Sequence, residues 1–211
     1  MALTGQLLRD VAAGDAAPAV RVFVPGPTVA FGRLDARSAG YDAACDAATA
    51  HGFTPLLRHA GGRAAAYDQG SVVIEVIAPS DEIAAGIEGR FIAMADLVRG
   101  VLEHVGVPTE IGELPGEFCP GRYSLHAGGR KLSGVAQRSV VGASLTTAVI
   151  AVQGGARLRS VLVDVERALG VDWEPETAGS ADEFAPGLTV DAVVAAAGRA
   201  VEEQPFHHRP S

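Results

Sequence analysis

Residues 71–78, Ser-Val-Val-Ile-Glu-Val-Ile-Ala, constrain the fold more than any other stretch of the 211-residue chain. The run is rich in β-branched residues, which pack well on a pleated surface. It therefore predicts a central β-strand, which Pro79 is expected to end. A central strand needs neighbouring strands for its backbone hydrogen bonds and helices to cover it.

The rest of the chain supplies both kinds of element. Predicted strands and hairpins outnumber helices that connect parallel strands, and the longer helices flank one hairpin. This pattern predicts an α+β fold, an α/β sandwich in which helices pack over a mixed β-sheet. The strands are predicted at 20–24, 28–31, 71–78, 123–126, 130–136 and 143–152, and the helices at 38–51, 91–105, 161–169 and 190–202.

Length and composition indicate one domain over residues 1–211. Apolar residues make up 48% of the chain, which is enough for a full core. Residues 1–19 are expected to form a short helix or a loosely held arm, and residues 205–211 a frayed end. The two histidines of that end have no third ligand at a usual spacing, so we expect no metal site.

Several functional classes are excluded by composition. No run of 18 apolar residues predicts a membrane span, and the first residues lack the pattern of a signal peptide. Two cysteines, at positions 45 and 119, do not make a disulfide framework, so we expect a cytoplasmic protein. The net charge of −8 argues against nucleic-acid binding. We expect a monomer.

Residues 117–138 hold Cys119 and Lys131, the only lysine of the sequence. Residues 123–126 and 130–136 read as a hairpin around a glycine turn, with Lys131 and Ser133 on one face. Lysine is a compact, tunable charge, whereas arginine is a fixed planar fork. A lone lysine therefore indicates an ammonium that approaches an oxyanion, phosphate or leaving group, although its position can also be incidental.

Cys119 precedes Pro120-Gly121 and is therefore expected on a loop. Nearby cations favour the thiolate, which is the nucleophilic form of cysteine. The alternative is a small buried side chain, a description that suits Cys45 on its predicted helix better. The candidate cations are Arg122, Arg130, Lys131 and Arg138.

A second glycine-marked stretch spans residues 58–70. Consecutive glycines beside arginines allow backbone amides and guanidinium groups to approach an anion or an acyl carbonyl. Taken alone the signal is weak, because a Gly-Gly pair is more often only a turn. If both stretches meet in space, an acidic protein has one basic pocket, suited to an anionic small molecule or an acidic protein partner.

Together the two stretches resemble the lipoate–protein ligase A, biotin ligase and octanoyltransferase superfamily. The resemblance extends over residues 27–152 and includes a segment similar to the family's G-x-K-[IVLF]-x-G-x-A-Q. Residues 118–123 are similar to the cysteine-dependent octanoyl and lipoyl amidotransferases, where ATP-using ligases usually carry an Asn-Asp pair. The residues that carry the resemblance are Arg58, Gly61, Gly62, Arg63, Tyr67, Asp68, Gly70 and the run from Gly129 to Arg138.

This resemblance implies a biotin/lipoate ligase-like catalytic domain and a two-step acyl transfer. Cys119 would take an octanoyl or lipoyl group as a thioester, which the lysine of a lipoyl domain then attacks. Lys131 would hold the acyl oxygen or stabilise the thiolate, and amides near Gly61 and Gly62 would be oxyanion donors. The implied substrate-binding residues are Arg58, Gly61, Gly62, Arg63, Asp68, Gly70, Ser133, Gly134 and Ala136.

The implied partners are lipoyl-domain proteins, such as the glycine-cleavage H protein and 2-oxoacid dehydrogenase E2, or an acyl carrier protein. No cofactor is expected. Three sites depart from the family pattern. Ser124 stands where these transferases usually show Asp, Tyr67 where many relatives have His, and Ser71 where an Asn or Thr is common after the glycine.

Two alternatives stay open. An ATP-dependent lipoate–protein ligase would use Lys131 at an acyl-adenylate, with ATP and magnesium, and Cys119 would be incidental. A non-catalytic module would bind lipoyl domains or a fatty acid.

Overall fold

The computed structural model describes residues 2–58, 60–80 and 86–203. It has five α-helices and nine strands within those ranges. The helices are α1 (Ala2–Ala13), α2 (Tyr41–Ala50), α3 (Ile87–His104), α4 (Gly155–Leu169) and α5 (Val190–Glu203). The strands are β1 (Ala19–Phe23), β2 (Thr28–Phe31), β3 (Thr54–Leu57), β4 (Ala65–Tyr67), β5 (Ser71–Ser80), β6 (Glu110–Ile111), β7 (Leu125–Ala127), β8 (Arg130–Val140) and β9 (Gly142–Ala151).

Six strands form an antiparallel sheet in the order β1-β5-β9-β8-β7-β6. The β-branched run is β5, and it lies inside the sheet as predicted. Pro79 does not end it, because the strand continues to Ser80. The pairing of β1 with β5 ends at Ile77, so Pro79 has a strand neighbour on the β9 side alone. Proline is tolerated at such an edge position because its missing N–H is not needed there.

Helices α3 and α5 cover one face of this sheet. The helical spacing of apolar residues in α3 places Met94, Leu97, Val98, Val101 and Leu102 in the core. They pack with Ile74 of β5 and Ile150 of β9, both fully buried. This core fixes the sheet on which the hairpin of Lys131 is built.

The other face of the six-stranded sheet is covered in two parts. Helix α1 packs there through Leu8 and Val11, and its Thr4 hydroxyl donates to the Glu75 carboxylate at 3.1 Å. The first residues thus form the short helix of the prediction and not a loose arm. The second part is a sheet of three strands in the order β3-β2-β4, with β2 parallel to β3 and antiparallel to β4.

The smaller sheet contains two strands, β3 and β4, that the sequence did not predict. Strands β3 and β4 have four and three residues, too few for a period-two pattern to stand out, and β3 contains Pro55. Helix α4 is also longer than the predicted helix over residues 161–169, since it begins at Gly155. A Cβ at Gly155 would lie 2.9 Å from the backbone carbonyl carbon of Gly179, so this helix start favours glycine.

Two sequence-based expectations concern the chain end and a membrane span. The predicted frayed end, residues 205–211, lies outside them. Within residues 2–58, 60–80 and 86–203, no helix has both the length and the apolar character that crossing a bilayer requires.

Helix α4 carries a carboxyl into the core between itself and the three-stranded sheet. Glu166 is fully buried, and neither of its oxygens has a hydrogen-bond partner among the described residues. Burial, followed by the nearby Asp35 carboxylate, raises the pKa of Glu166 from 4.5 to about 7, against the opposing charge of Arg63. The folded chain therefore keeps this proton at pH values where the unfolded chain has lost it.

We predict that Glu166→Gln removes a pH-dependent loss of stability. Between pH 4.5 and about 7 the folded state binds more protons than the unfolded state at this site, so the free energy of unfolding falls as pH rises. From pH 5 to pH 8 the variant should gain up to ~3 kcal/mol relative to the native chain. Urea unfolding at both pH values measures this, with the exposed Glu202→Gln as the charge-matched control. Equal pH slopes for all three proteins would contradict the prediction.

Candidate active site

A cavity of about 370 Å³ lies between the six-stranded sheet and the three-stranded sheet. Small and apolar side chains line most of it, and we call this predominantly apolar cavity the slot. Cys119 and Lys131 both line it, and thus the two residues that the sequence singled out meet at one site. Its walls include Ala66 and Tyr67 of β4, Gly134 and Ala136 of β8, and Thr147 and Val149 of β9.

Cys119 lies on the loop between β6 and β7 in an unusual backbone conformation. Its φ is +43°, and it is the single residue other than glycine with positive φ in the described ranges. Its sulfur accepts a hydrogen bond from Arg58 Nη2 at 3.2 Å and from the backbone N–H of Arg63 at 3.3 Å. A guanidinium group and a backbone amide therefore both donate to the sulfur and hold it in place.

The cation at the sulfur is therefore Arg58, not one of the cations predicted from the neighbouring sequence. Arg122 is exposed and faces Glu88, and Arg130 pairs with Glu176 and Glu183. Arg58 is 61 residues from Cys119 in sequence, so sequence proximity did not indicate this contact.

Gly62 allows the loop of residues 60–64 to approach the thiol. Its φ is +104°, and a Cβ at this position would lie 2.2 Å from Arg58 Nη2 and 3.0 Å from Cys119 Sγ. The loop is held from behind by Arg63, whose Nε lies 2.7 Å from the buried Asp35 carboxylate. Asp35 in turn accepts the N–H of Gly32 at 2.8 Å. Of the two glycines predicted to approach a ligand, Gly62 thus approaches the sulfur and its arginine.

Lys131 binds the backbone of the cysteine loop and not the sulfur. Its Nζ donates to the carbonyls of Cys119 at 2.7 Å and Phe118 at 3.0 Å, and to Glu117 Oε1 at 3.3 Å. These three bonds use all the hydrogens of an ammonium group. The side chain is 4% exposed, so the charge is buried and depends on these acceptors.

Glu117 is the site residue that sequence reasoning missed. Its Oε1 accepts from Lys131 and also from the Gly121 N–H at 2.9 Å and the Ser124 hydroxyl at 2.6 Å. Family resemblance leads one to expect a carboxylate at position 124, and here Glu117 places one against Ser124. The available signal was an acidic residue two positions before Cys119 in the stretch that holds the sole lysine.

The predicted common face of Lys131 and Ser133 is wrong, because β8 contains a bulge. Leu125 pairs with Ser133, but the next residue, His126, pairs with Lys131. The two-residue step from Lys131 to Ser133 on β8 thus matches the one-residue step from His126 to Leu125 on β7. Because His126 and Leu125 point to opposite faces of the sheet, their partners Lys131 and Ser133 do so as well. Ser133 shares the face of the core residue Leu125, and its buried hydroxyl has no hydrogen-bond partner among the described residues. Lys131 faces the slot beside Gly134.

The predicted substrate-binding residues fall into two groups. Arg58, Gly61, Gly62, Gly134 and Ala136 line the slot, and Ser133 contributes to its wall. Arg63 reaches it through its backbone N–H.

Asp68 and Gly70 lie outside the slot, at the turn between β4 and β5. There Asp68 accepts the Gly70 N–H at 2.8 Å and pairs with Arg157. Cys45 packs at the edge of the core between α2 and α4. Across the described parts of the chain, no group of three His, Cys, Asp or Glu side chains is arranged to hold a metal ion.

Comparison with known proteins gives a family match over almost the whole chain. Residues 1–199 match the model of the lipoyl protein ligase A/B catalytic domain. An octanoyl-[GcvH]:protein N-octanoyltransferase of Geobacillus kaustophilus is 32% identical over 162 residues, which are 77% of this chain and 57% of that protein. A lipoyl-[GcvH]:protein N-lipoyltransferase of Listeria monocytogenes is 27% identical, over 74% of this chain and 56% of that protein.

This chain therefore spans a little over half the length of these two relatives. Among solved structures, the crystal structure of lipoate-protein ligase A bound with ATP superposes with a TM-score of 0.68. The match covers 88% of this chain and 72% of that chain at 24% identity. The two proteins share a fold, which confirms the predicted helix-covered α+β architecture of the ligase type.

We predict that Gly62→Ala disrupts the site whereas Gly61→Ala does not. The Gly62 variant forces an alanine into a left-handed conformation, at a cost of roughly 1–2 kcal/mol, and displaces Arg58 from the sulfur. A Cβ at Gly61 meets no atom within 4 Å. The rate of Cys119 alkylation by iodoacetamide and the thermal midpoint should both change for Gly62→Ala alone. An unchanged alkylation rate in that variant would disprove the close approach.

We also predict that Lys131→Met destabilises the fold through Glu117. Removing one partner of a buried pair leaves an uncompensated charge and typically costs ~3–5 kcal/mol. The double variant Lys131→Met with Glu117→Gln should recover part of that loss, since no buried carboxylate remains. Denaturant unfolding of the four proteins in this cycle measures the coupling. If the two losses simply add, the ion pair does not stabilise the loop.

Proposed function

The chain belongs to the lipoyl protein ligase A/B catalytic domain family, and on that premise we propose that it is an acyltransferase of protein lipoylation. The octanoyl or lipoyl group is carried as a thioester on Cys119 and passes to the lysine of a lipoyl domain. The observation that supports this best is the cysteine itself. Its sulfur receives two hydrogen-bond donors at the edge of an apolar slot that suits an acyl chain.

The reaction has two steps that share one thiolate. In the first, Cys119 Sγ bonds to the acyl carbonyl carbon of the donor, whose bond to its carrier breaks. The departing carrier thiolate or amine takes up a proton. In the second, the acceptor lysine amine bonds to the same carbon, the C–S bond breaks, the thiolate is restored and the amine releases a proton. Dividing a difficult exchange in this way is ordinary covalent catalysis.

In this proposal the two donors to the sulfur also stabilise the developing oxyanion. The Arg58 guanidinium and the Arg63 N–H converge on the sulfur. As the thiolate becomes a neutral thioester, they are positioned to turn to the acyl oxygen beside it. The Gly61 N–H donates to the Gln137 carbonyl at 3.3 Å, so we do not assign it as an oxyanion donor.

Lys131 then acts as a positioning residue. Its hydrogens hold the carbonyls of Phe118 and Cys119, which keeps the thiol at the slot. This role replaces the direct contact with the acyl oxygen that the resemblance implied. The remaining slot residues, Gly134 and Ala136, would leave room for the chain because they are small.

The proposed donors and acceptors are the glycine-cleavage H protein, the E2 subunits of 2-oxoacid dehydrogenases or an acyl carrier protein. The two relatives compared above are named for transfer from the GcvH protein. Thiols of cytoplasmic proteins are kept reduced, which suits a free catalytic cysteine, so we propose a cytoplasmic reaction. We further propose that the enzyme is a monomer and works without a cofactor.

The test is acylation of the protein by octanoylated H protein, followed by intact-mass measurement. We predict one octanoyl adduct on the native chain and on the control Cys45→Ala, and none on Cys119→Ala. Addition of a free lipoyl domain should remove the adduct from the native chain. Formation of octanoyl-adenylate from octanoic acid and ATP by Cys119→Ala would instead support a ligase. Octanoate binding with neither product would indicate a binding module.

A further inference from the structure

A second cavity of about 200 Å³ lies beside the slot. The two cavities have four wall residues in common, which we call the partition. These are Arg58, Tyr67, Thr147 and Val149. Tyr67 is the aromatic one and belongs to β4 of the three-stranded sheet, whereas Thr147 and Val149 belong to β9 of the six-stranded sheet. Its ring is the largest apolar group that the two cavities share.

The sheet register places the second cavity on the far side of this partition from Lys131. Lys131 and Gly134 belong to β8, whose neighbour β9 carries the shared residues Thr147 and Val149. On the other side of β9, the second cavity is lined by Val73 and Glu75 of β5, which pair with Val149 and Thr147. A path from the lysine across the sheet thus passes β8, then the partition over β9, and then the second cavity over β5.

The second cavity suits the alkyl end of an acyl chain. Leu8, Phe23, Val73 and Leu145 give it apolar walls. Its one carboxylate, Glu75, is neutralised by Arg21 at 2.7 Å and accepts the Thr4 hydroxyl. Burial raises the pKa of both Glu75 and Tyr67, which is consistent with a dry interior.

We propose that Tyr67 sets the length of the acyl chain that the slot accepts. Its side chain closes the slot towards the second cavity, and that cavity would hold the end of a longer chain. The inference rests on the proposed function, because the slot is taken to bind the acyl group. Tyr67 is a specificity-determining residue in this view. Shortening its side chain joins the two cavities, and the preferred acyl chain then becomes longer.

Binding of octanoic and dodecanoic acid to the full chain, measured by calorimetry, tests this without requiring acyl transfer. The native chain should prefer octanoate. The variants Tyr67→Ala and Tyr67→Val should shift the ratio of the two dissociation constants towards dodecanoate by tenfold or more. Valine is included because it favours the strand conformation of β4. Tyr67→Phe keeps the ring and should keep the native ratio.

A second substitution refills the new space. Val73→Phe in the Tyr67→Ala background should return the ratio of the two dissociation constants towards the native value, because the phenylalanine ring would occupy the second cavity. Folded Tyr67→Ala and Tyr67→Val variants with the native ratio would overturn the inference, as would a native chain without preference for octanoate. A ratio that shifts as expected while Cys119 takes no acyl group would overturn the proposed function and leave the role of Tyr67 intact.

Discussion

The contact between the Lys131 ammonium and the loop of residues 117–119 is the interaction on which the site depends. Its three acceptors converge from one short loop, two of them backbone carbonyls. Cys119 adopts φ +43° in that loop, a conformation that costs an L-residue roughly 1–2 kcal/mol. A compact ammonium can bond all three acceptors at once, whereas a planar guanidinium fork cannot. This geometry gives a physical reason for one lysine in a chain whose other strong cations are arginines.

That contact exists because the sheet is irregular at one point. Without the bulge in β8, Lys131 and Ser133 would share a face of the sheet. Either Lys131 would then face the core or Ser133 would face the slot. The bulge places Leu132 in the core with α3 and turns Lys131 towards the slot. A shift of one residue in register moves every side chain to the other face, so the position of the ammonium is determined by the strand pairing.

Sequence reasoning succeeded where the signal is local. The β-branched run of β5, the apolar periodicity of α3 and the glycine turn before β8 each predict their own element. The meeting of Cys119 with Lys131 also followed, since twelve residues and one hairpin join them. What stayed hidden depends on the packing of distant segments. The contact of Arg58 with the sulfur spans 61 residues, and nothing in Lys-Leu-Ser marks a bulge.

The thiol and the depth of the slot are controlled by the same packing between the two sheets. Arg58 and Gly62 follow the three-stranded sheet at β3, whereas Cys119 and Lys131 are held by the six-stranded sheet. Arg58 touches the sulfur and also forms part of the wall between the two cavities. A shift of one sheet against the other therefore changes the environment of the sulfur and the space for the chain together. The ion pair of Arg63 with Asp35 and the close packing of Gly62 against Arg58 hold that loop in place. They therefore fix both the environment of the sulfur and the space for the chain.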